Sequence, residues 1–187
     1  MPRQVVSFCF SLALLLTVTC LSSTLAIAQE AKKAGVELTV RAVPAGRLDP
    51  FRKSFAKYVN VFGVHVFATA RTPDSKVRHA GTILAEYLDN DEDGKPDNPF
   101  VLKALVDRNA FLMMTATDRG LDRIDPEEWM DAGFHAGQFQ HAQETNPGRG
   151  RFDASLEEVL HLITQHGYGN AYPKIFGDRK GTELAKC

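Results

Sequence analysis

Cysteine is nearly missing from this chain: 187 residues carry three, at positions 9, 20 and 187. Two of these fall in an N-terminal stretch with the marks of a removable leader. Arg3 gives a basic start, residues 5–16 are mostly apolar, and Ala26-Ile27-Ala28 before Gln29 is a small-x-small cleavage site, so residues 1–28 are expected to be a signal peptide. A membrane anchor fits less well, because Ser7, Ser11, Thr17 and Thr19 interrupt a run that is short for a bilayer span. Lipidation of Cys20 is disfavoured by Thr17 and Thr19, which stand where a leucine-like and a small residue belong. With the leader removed, Cys187 is the sole cysteine and no intrachain disulfide forms. Small domains exported to an oxidising space usually carry disulfides, and a bound metal ion is the obvious substitute. The expected product is one domain, residues 29–187, secreted or periplasmic.

Basic clusters are missing as well. Lys and Arg number 22 against 23 Asp and Glu, a net charge of -1, and no run of cations tracks phosphates or an anionic membrane. No nucleic-acid partner and no membrane attachment after leader cleavage are therefore expected. Repeats and low-complexity segments are absent, and nothing in the composition names a substrate or protein partner.

What is present is periodicity. Val36, Leu38, Val40 and Ala42 alternate with polar residues as in a half-buried strand. Asp49-Pro50 opens a helix carrying Phe51, Phe55 and Tyr58, and the β-branched and aromatic residues 60–69 read as a second strand. His65 lies within it and reads as a packed residue. Val77, Ala80, Leu84 and Leu88 mark the apolar face of a helix after Thr72-Pro73-Asp74, and Pro99 opens another that runs to about residue 108. Residues 109–117 form an apolar run that fits a buried strand, with Met113 and Met114 in the core. Asp125-Pro126 starts a short helix, while residues 133–143 are poor core and poor helix and suit a cleft-lining loop. The expected fold is α+β: one domain, with a small sheet from 36–42, 60–69 and 109–117 and helices against one face.

Residues 89–98 join the two central helices and read Asp-Asn-Asp-Glu-Asp-Gly-Lys-Pro-Asp-Asn. Acids at alternate positions of a curled loop aim carboxylates at one centre, and a hard divalent cation needs six to eight oxygens. Without a cation these acids repel one another. The stretch resembles an EF-hand loop, with Asp89, Asp91 and Asp93 at the first, third and fifth places, Gly94 at the sixth, the Lys95 carbonyl at the seventh and Asp97 at the ninth. It is also similar to the DxDxDGxxD loops of thrombospondin-type calcium repeats. Pro96 at the eighth place and Phe100 at the twelfth, where a bidentate glutamate is expected, depart from the EF-hand pattern. The resemblance implies calcium held by Asp89, Asp91, Asp93, Lys95 and Asp97 in a helix–loop–helix, and the departures imply a single structural site. On this reading Asp89→Ala lowers the melting temperature only when calcium is present.

A second chemical stretch covers residues 153–166, where Leu156, Val159, Leu160 and Ile163 make an apolar helical stripe. Glu157 and His161 stand four apart with Glu158 beside them, and Gly167 is expected to end the helix. Glu157-Glu158-Val159-Leu160-His161 resembles the zincin signature His-Glu-x-x-His with glutamate in the first place. The resemblance implies a zinc-dependent, peptidase-like hydrolase in which Glu157 and His161 hold zinc and Glu158 activates a metal-bound water. His166 supplies a third ligand if the chain unwinds at Gly167; His135, His141 and Glu144 are the alternatives. Read without the resemblance, Ser155-x-x-Glu158 is a capping box and Glu157 with His161 an ordinary surface pair. Two expectations follow: an exported calcium-binding protein with a zinc-hydrolase site, or a non-enzymatic secreted calcium-binding structural or interaction domain.

Overall fold

Valines and phenylalanines at alternate positions build the centre of the molecule. The computed structural model describes residues 38–186 apart from 149 and 178, so the expected signal peptide and Cys187 lie outside the described residues. In chain order the elements are α1 (Asp49–Arg52), β1 (Lys57–Val61), β2 (Val64–Ala68), α2 (Asp74–Leu88), α3 (Pro99–Asp107), β3 (Phe111–Thr115), α4 (Glu127–Met130), β4 (Gly137–His141) and α5 (Ala154–Leu162). The fold is α+β, with one mixed sheet in the order β1-β2-β3-β4. β1 and β2 pair antiparallel, and β2–β3 and β3–β4 pair parallel.

The expected single strand over 60–69 is instead half of a hairpin that begins at Lys57. Phe62 and Gly63 both have positive φ, 52° and 97°, as a tight two-residue hairpin turn requires. The Gly63 N–H donates to Asn60 Oδ1 at 3.1 Å and closes the turn. Phenylalanine in the first turn place hides the signal that Asn-Gly would give. The expected strand over 36–42 reduces, among the described residues, to one bridge, in which Arg41 and Tyr58 exchange backbone hydrogen bonds of 3.0 and 2.8 Å.

β4 occupies the segment expected to be a loop. Its polar sequence, Gly-Gln-Phe-Gln-His, fits because α5 covers it through hydrogen bonds: Gln138 Nε2 donates to Glu158 Oε2 and Gln140 Nε2 to Ser155 Oγ. Gly137 is required where it stands, since a Cβ there would lie 2.5 Å from the Phe111 ring.

The sheet is covered on both faces, not one. Val59, Val61, Val64, Val66, Leu112 and Met114 meet apolar residues of α2, α3 and α5 on the first face. On the second, Phe67 and Phe111 meet Phe51, Phe55, Trp129 and Phe134. That aromatic layer was hidden because its rings come from segments far apart in the chain.

His65 belongs to the second layer as a packed residue. The Tyr58 hydroxyl sits 2.9 Å from its Nδ1, and Phe67 and Phe134 rings flank it. Burial, with the Arg47 charge adding, pushes its pKa down to about 4. Above the ordinary histidine pKa both folded and unfolded chains hold it neutral; below it the unfolded chain takes a proton that the folded one refuses. Stability should therefore fall by about 2 to 3 kcal/mol between pH 6.5 and 4.5 from this group alone. Urea unfolding of the parent and His65→Gln across that range should show a shallower loss in the variant; parallel curves would contradict the assignment.

Candidate functional site

The helix–loop–helix expected from the sequence is formed. α2 ends as Asp89 N–H donates to Ala85 O at 2.8 Å, and Asp97 N–H donates to Leu88 O at 2.8 Å, which brings the two ends of the loop together. Asn98 then caps α3, accepting from the N–H groups of Phe100 and Val101, with Pro99 at the first helical position. The Asn98 amide and the Tyr172 hydroxyl lie within hydrogen-bond reach, tying the loop to the C-terminal segment. Glycine is needed at position 94, where φ is +85°.

Inside the loop the carboxylates are held by backbone amides. Asp89 is 1% exposed. Its Oδ1 accepts from Asp93 N–H at 3.0 Å and its Oδ2 from Gly94 N–H at 2.9 Å. Asp97 Oδ2 accepts from Asn90 N–H at 2.9 Å, and Asp91 Oδ1 from Asp93 N–H at 3.2 Å. Each acid is thus aimed before any ion arrives. Carboxylate oxygens of Asp89, Asp91 and Asp97 lie within 4.8 Å of one another, the only group of three such ligands among the described residues.

Asp93 stands apart from that group. Its Oδ2 pairs with Lys95 Nζ at 3.0 Å and its Oδ1 accepts from Lys95 N–H at 2.8 Å. The hydrogen bond from the Lys95 side chain, then that from its backbone, holds the Asp93 carboxyl below the usual range, and Asp93 in turn raises Lys95. Phe100, in the place of the bidentate glutamate, is 67% exposed and carries no ligand.

On α5, Asp153 is the cap and not Ser155: its Oδ1 accepts from Ser155 N–H and Asn146 N–H, and its Oδ2 lies 2.5 Å from His79 Nε2. Ser155 is buried against Gln140, which is why it does not serve the helix end. Glu157 and His161 are both exposed, 3.5 Å apart. Glu158 turns toward β4 and Gln138. His141 pairs with Glu144 at 2.8 Å, and His135 is exposed.

Gly167 does not end the helix. The chain widens into a π turn over Ile163–Tyr168, and the missing side chain lets it press on α3, where a Cβ would lie 2.8 Å from Val101. The wider π turn, with its i→i+5 hydrogen bonds, brings positions five apart nearer to one face than a regular helix does, and His161 and His166 line one cleft, with Arg108 and Lys174. Burial, with the Arg108 charge adding, lowers the His166 pKa. Glu157, His161 and His166 do not converge as a three-ligand group.

No helix among the described residues is long and apolar enough to cross a membrane. No family model, curated protein or solved structure matches the chain, so its function is read from these residues alone.

Proposed function

We propose that this is an exported calcium-binding protein in which one calcium ion clamps the junction of α2 and α3. The observation that carries the reading is the convergence of Asp89, Asp91 and Asp97 carboxylates. The donor set fits: it is all oxygen, as a hard cation prefers, and the amide bonds to Asp89 leave a free lone pair on each of its carboxylate oxygens. Carbonyls and water would complete the six to eight oxygens. Without a twelfth-place glutamate the affinity belongs with extracellular modules, at a dissociation constant of about 10⁻⁴ to 10⁻³ M.

The clamp has a structural purpose. α2 and α3 both pack on the first face of the sheet, so fixing their junction fixes that layer. The zinc-hydrolase reading assigns Glu157 and His161 to a metal and Glu158 to base catalysis, and it needs a third ligand. The non-enzymatic reading needs none and is the one we adopt. Elemental analysis of the mature protein after mild EDTA treatment and refolding in calcium should give one calcium per chain and no transition metal. Stoichiometric zinc that disappears in His161→Ala would overturn this choice in favour of the hydrolase.

A further inference from the structure

A pocket unrelated to the calcium loop opens at the carboxyl ends of the parallel strands β2 and β3. The chain leaving β2 enters α2, which packs on the first face of the sheet. The chain leaving β3 runs to Ile124 and Trp129, which pack on the second. Adjacent strands whose connections part to opposite faces leave a crevice between their ends, the place where open sheets with parallel strands bind ligands. Here that crevice has a volume of about 690 Å³, within the range of small-molecule sites.

Its lining is of one charge. Lys53, Arg71, Arg119 and Arg123 contribute cations, and among the described residues no aspartate or glutamate lines it. Asp118 and Asp122 belong to the same 3-10 turn as Arg119 and Arg123 but lie outside the lining. Among the described residues the guanidinium groups of Arg71, Arg119 and Arg123 form no ion pair or hydrogen bond. Three exposed guanidiniums without an ion partner thus line one cavity, and their planar forks match phosphate oxygens. The Ser54 and Thr117 hydroxyls add donors, and Ala70, Ala116 and Ile124 give an apolar wall.

The floor is fixed. Thr115 Oγ1 donates to Thr117 O at 2.6 Å, and Gly120 lies so close to Thr115 that a Cβ would be 2.6 Å from its Cβ.

We propose that this pocket binds a small phosphomonoester, its phosphate among Arg71, Arg119 and Arg123 and its apolar body against Ala70, Ala116 and Ile124. The site is independent of calcium binding. The test is calorimetric titration of the mature protein with phenyl phosphate and inorganic phosphate at matched ionic strength. Phenyl phosphate should bind saturably and more tightly than inorganic phosphate. Arg119→Gln and Arg123→Gln should each weaken it by about tenfold or more at unchanged melting temperature. Arg179→Gln, in the separate cleft beside His166, should leave it unchanged. Binding that sodium chloride competes away equally, that favours inorganic phosphate, or that survives both pocket substitutions would overturn the proposal. So would a single-stranded oligonucleotide that binds through these arginines while phenyl phosphate does not.

Discussion

Asp89→Ala lowers the stability of this protein with calcium and without it, whereas Asp91→Asn lowers it only with calcium. The difference lies in what each carboxylate does before an ion arrives. Asp89 is buried and takes the N–H groups of Asp93 and Gly94. Alanine leaves the Gly94 N–H without an acceptor and the Asp93 N–H with only its 3.2 Å bond to Asp91 Oδ1, a cost of about 2 kcal/mol that exceeds the roughly 1 kcal/mol of screened repulsion relieved. The expectation that Asp89→Ala acts only through calcium is thus corrected, because the sequence shows the acid and not the amides it holds.

Asp91 is exposed, and asparagine keeps the Oδ1 that accepts from Asp93 N–H. What asparagine removes is charge. At separations up to 4.8 Å each carboxylate pair in a water-like medium repels by about 1 kcal/mol, roughly half that at physiological salt, and Asp91→Asn removes two such pairs. Calcium-free Asp91→Asn should therefore equal the parent or exceed it by about 1 kcal/mol. With calcium at a hundred times its dissociation constant the parent gains about 2.7 kcal/mol that the variant lacks. Melting curves of the parent and both variants, with EDTA and with calcium, read these quantities at about 2–4 °C per kcal/mol. Asp91→Asn melting below the parent in EDTA would contradict the geometry of the loop.

Phe51→Ala should cost about 3 to 5 kcal/mol, the second large effect. Phe51 is fully buried in the aromatic layer. It stacks on Phe67 at 4.0 Å and on Trp129 at 5.4 Å, and meets Phe111 and Phe134 edge-on at 5.1 and 4.9 Å. Alanine removes the ring that all four share, and α1, only four residues long, has little else to hold it to the sheet. A fall of about 10 °C in melting temperature is expected, with the calcium-induced gain unchanged because the loop joins helices of the opposite face. A loss under about 1 kcal/mol would show that the second layer is not a packed core.

These cases show what a linear reading reaches. The aspartates, the flanking helices and the strand around Leu112 are local patterns and were legible. The fourth strand was not, because Gln138 and Gln140 meet α5 through hydrogen bonds where apolar contact would have left a signal. The second layer draws on Phe51, Phe67, Phe111, Trp129 and Phe134, whose meeting no window of sequence contains. The arginine pocket was invisible for the same reason: Arg71 and Arg119 come from different strand ends, so no basic run betrays them. His161 and His166 reach one cleft only because the helix widens into a π turn, where a regular helix would have parted them.

The central claim is that calcium is held by Asp89, Asp91 and Asp97. Calorimetric titration of the EDTA-treated protein with calcium tests it most directly. One site per chain is predicted, with a dissociation constant of about 10⁻⁴ to 10⁻³ M in the parent and no measurable binding in Asp91→Asn. No calcium binding by the parent up to 10 mM, roughly ten times the weakest value that range allows, would contradict it.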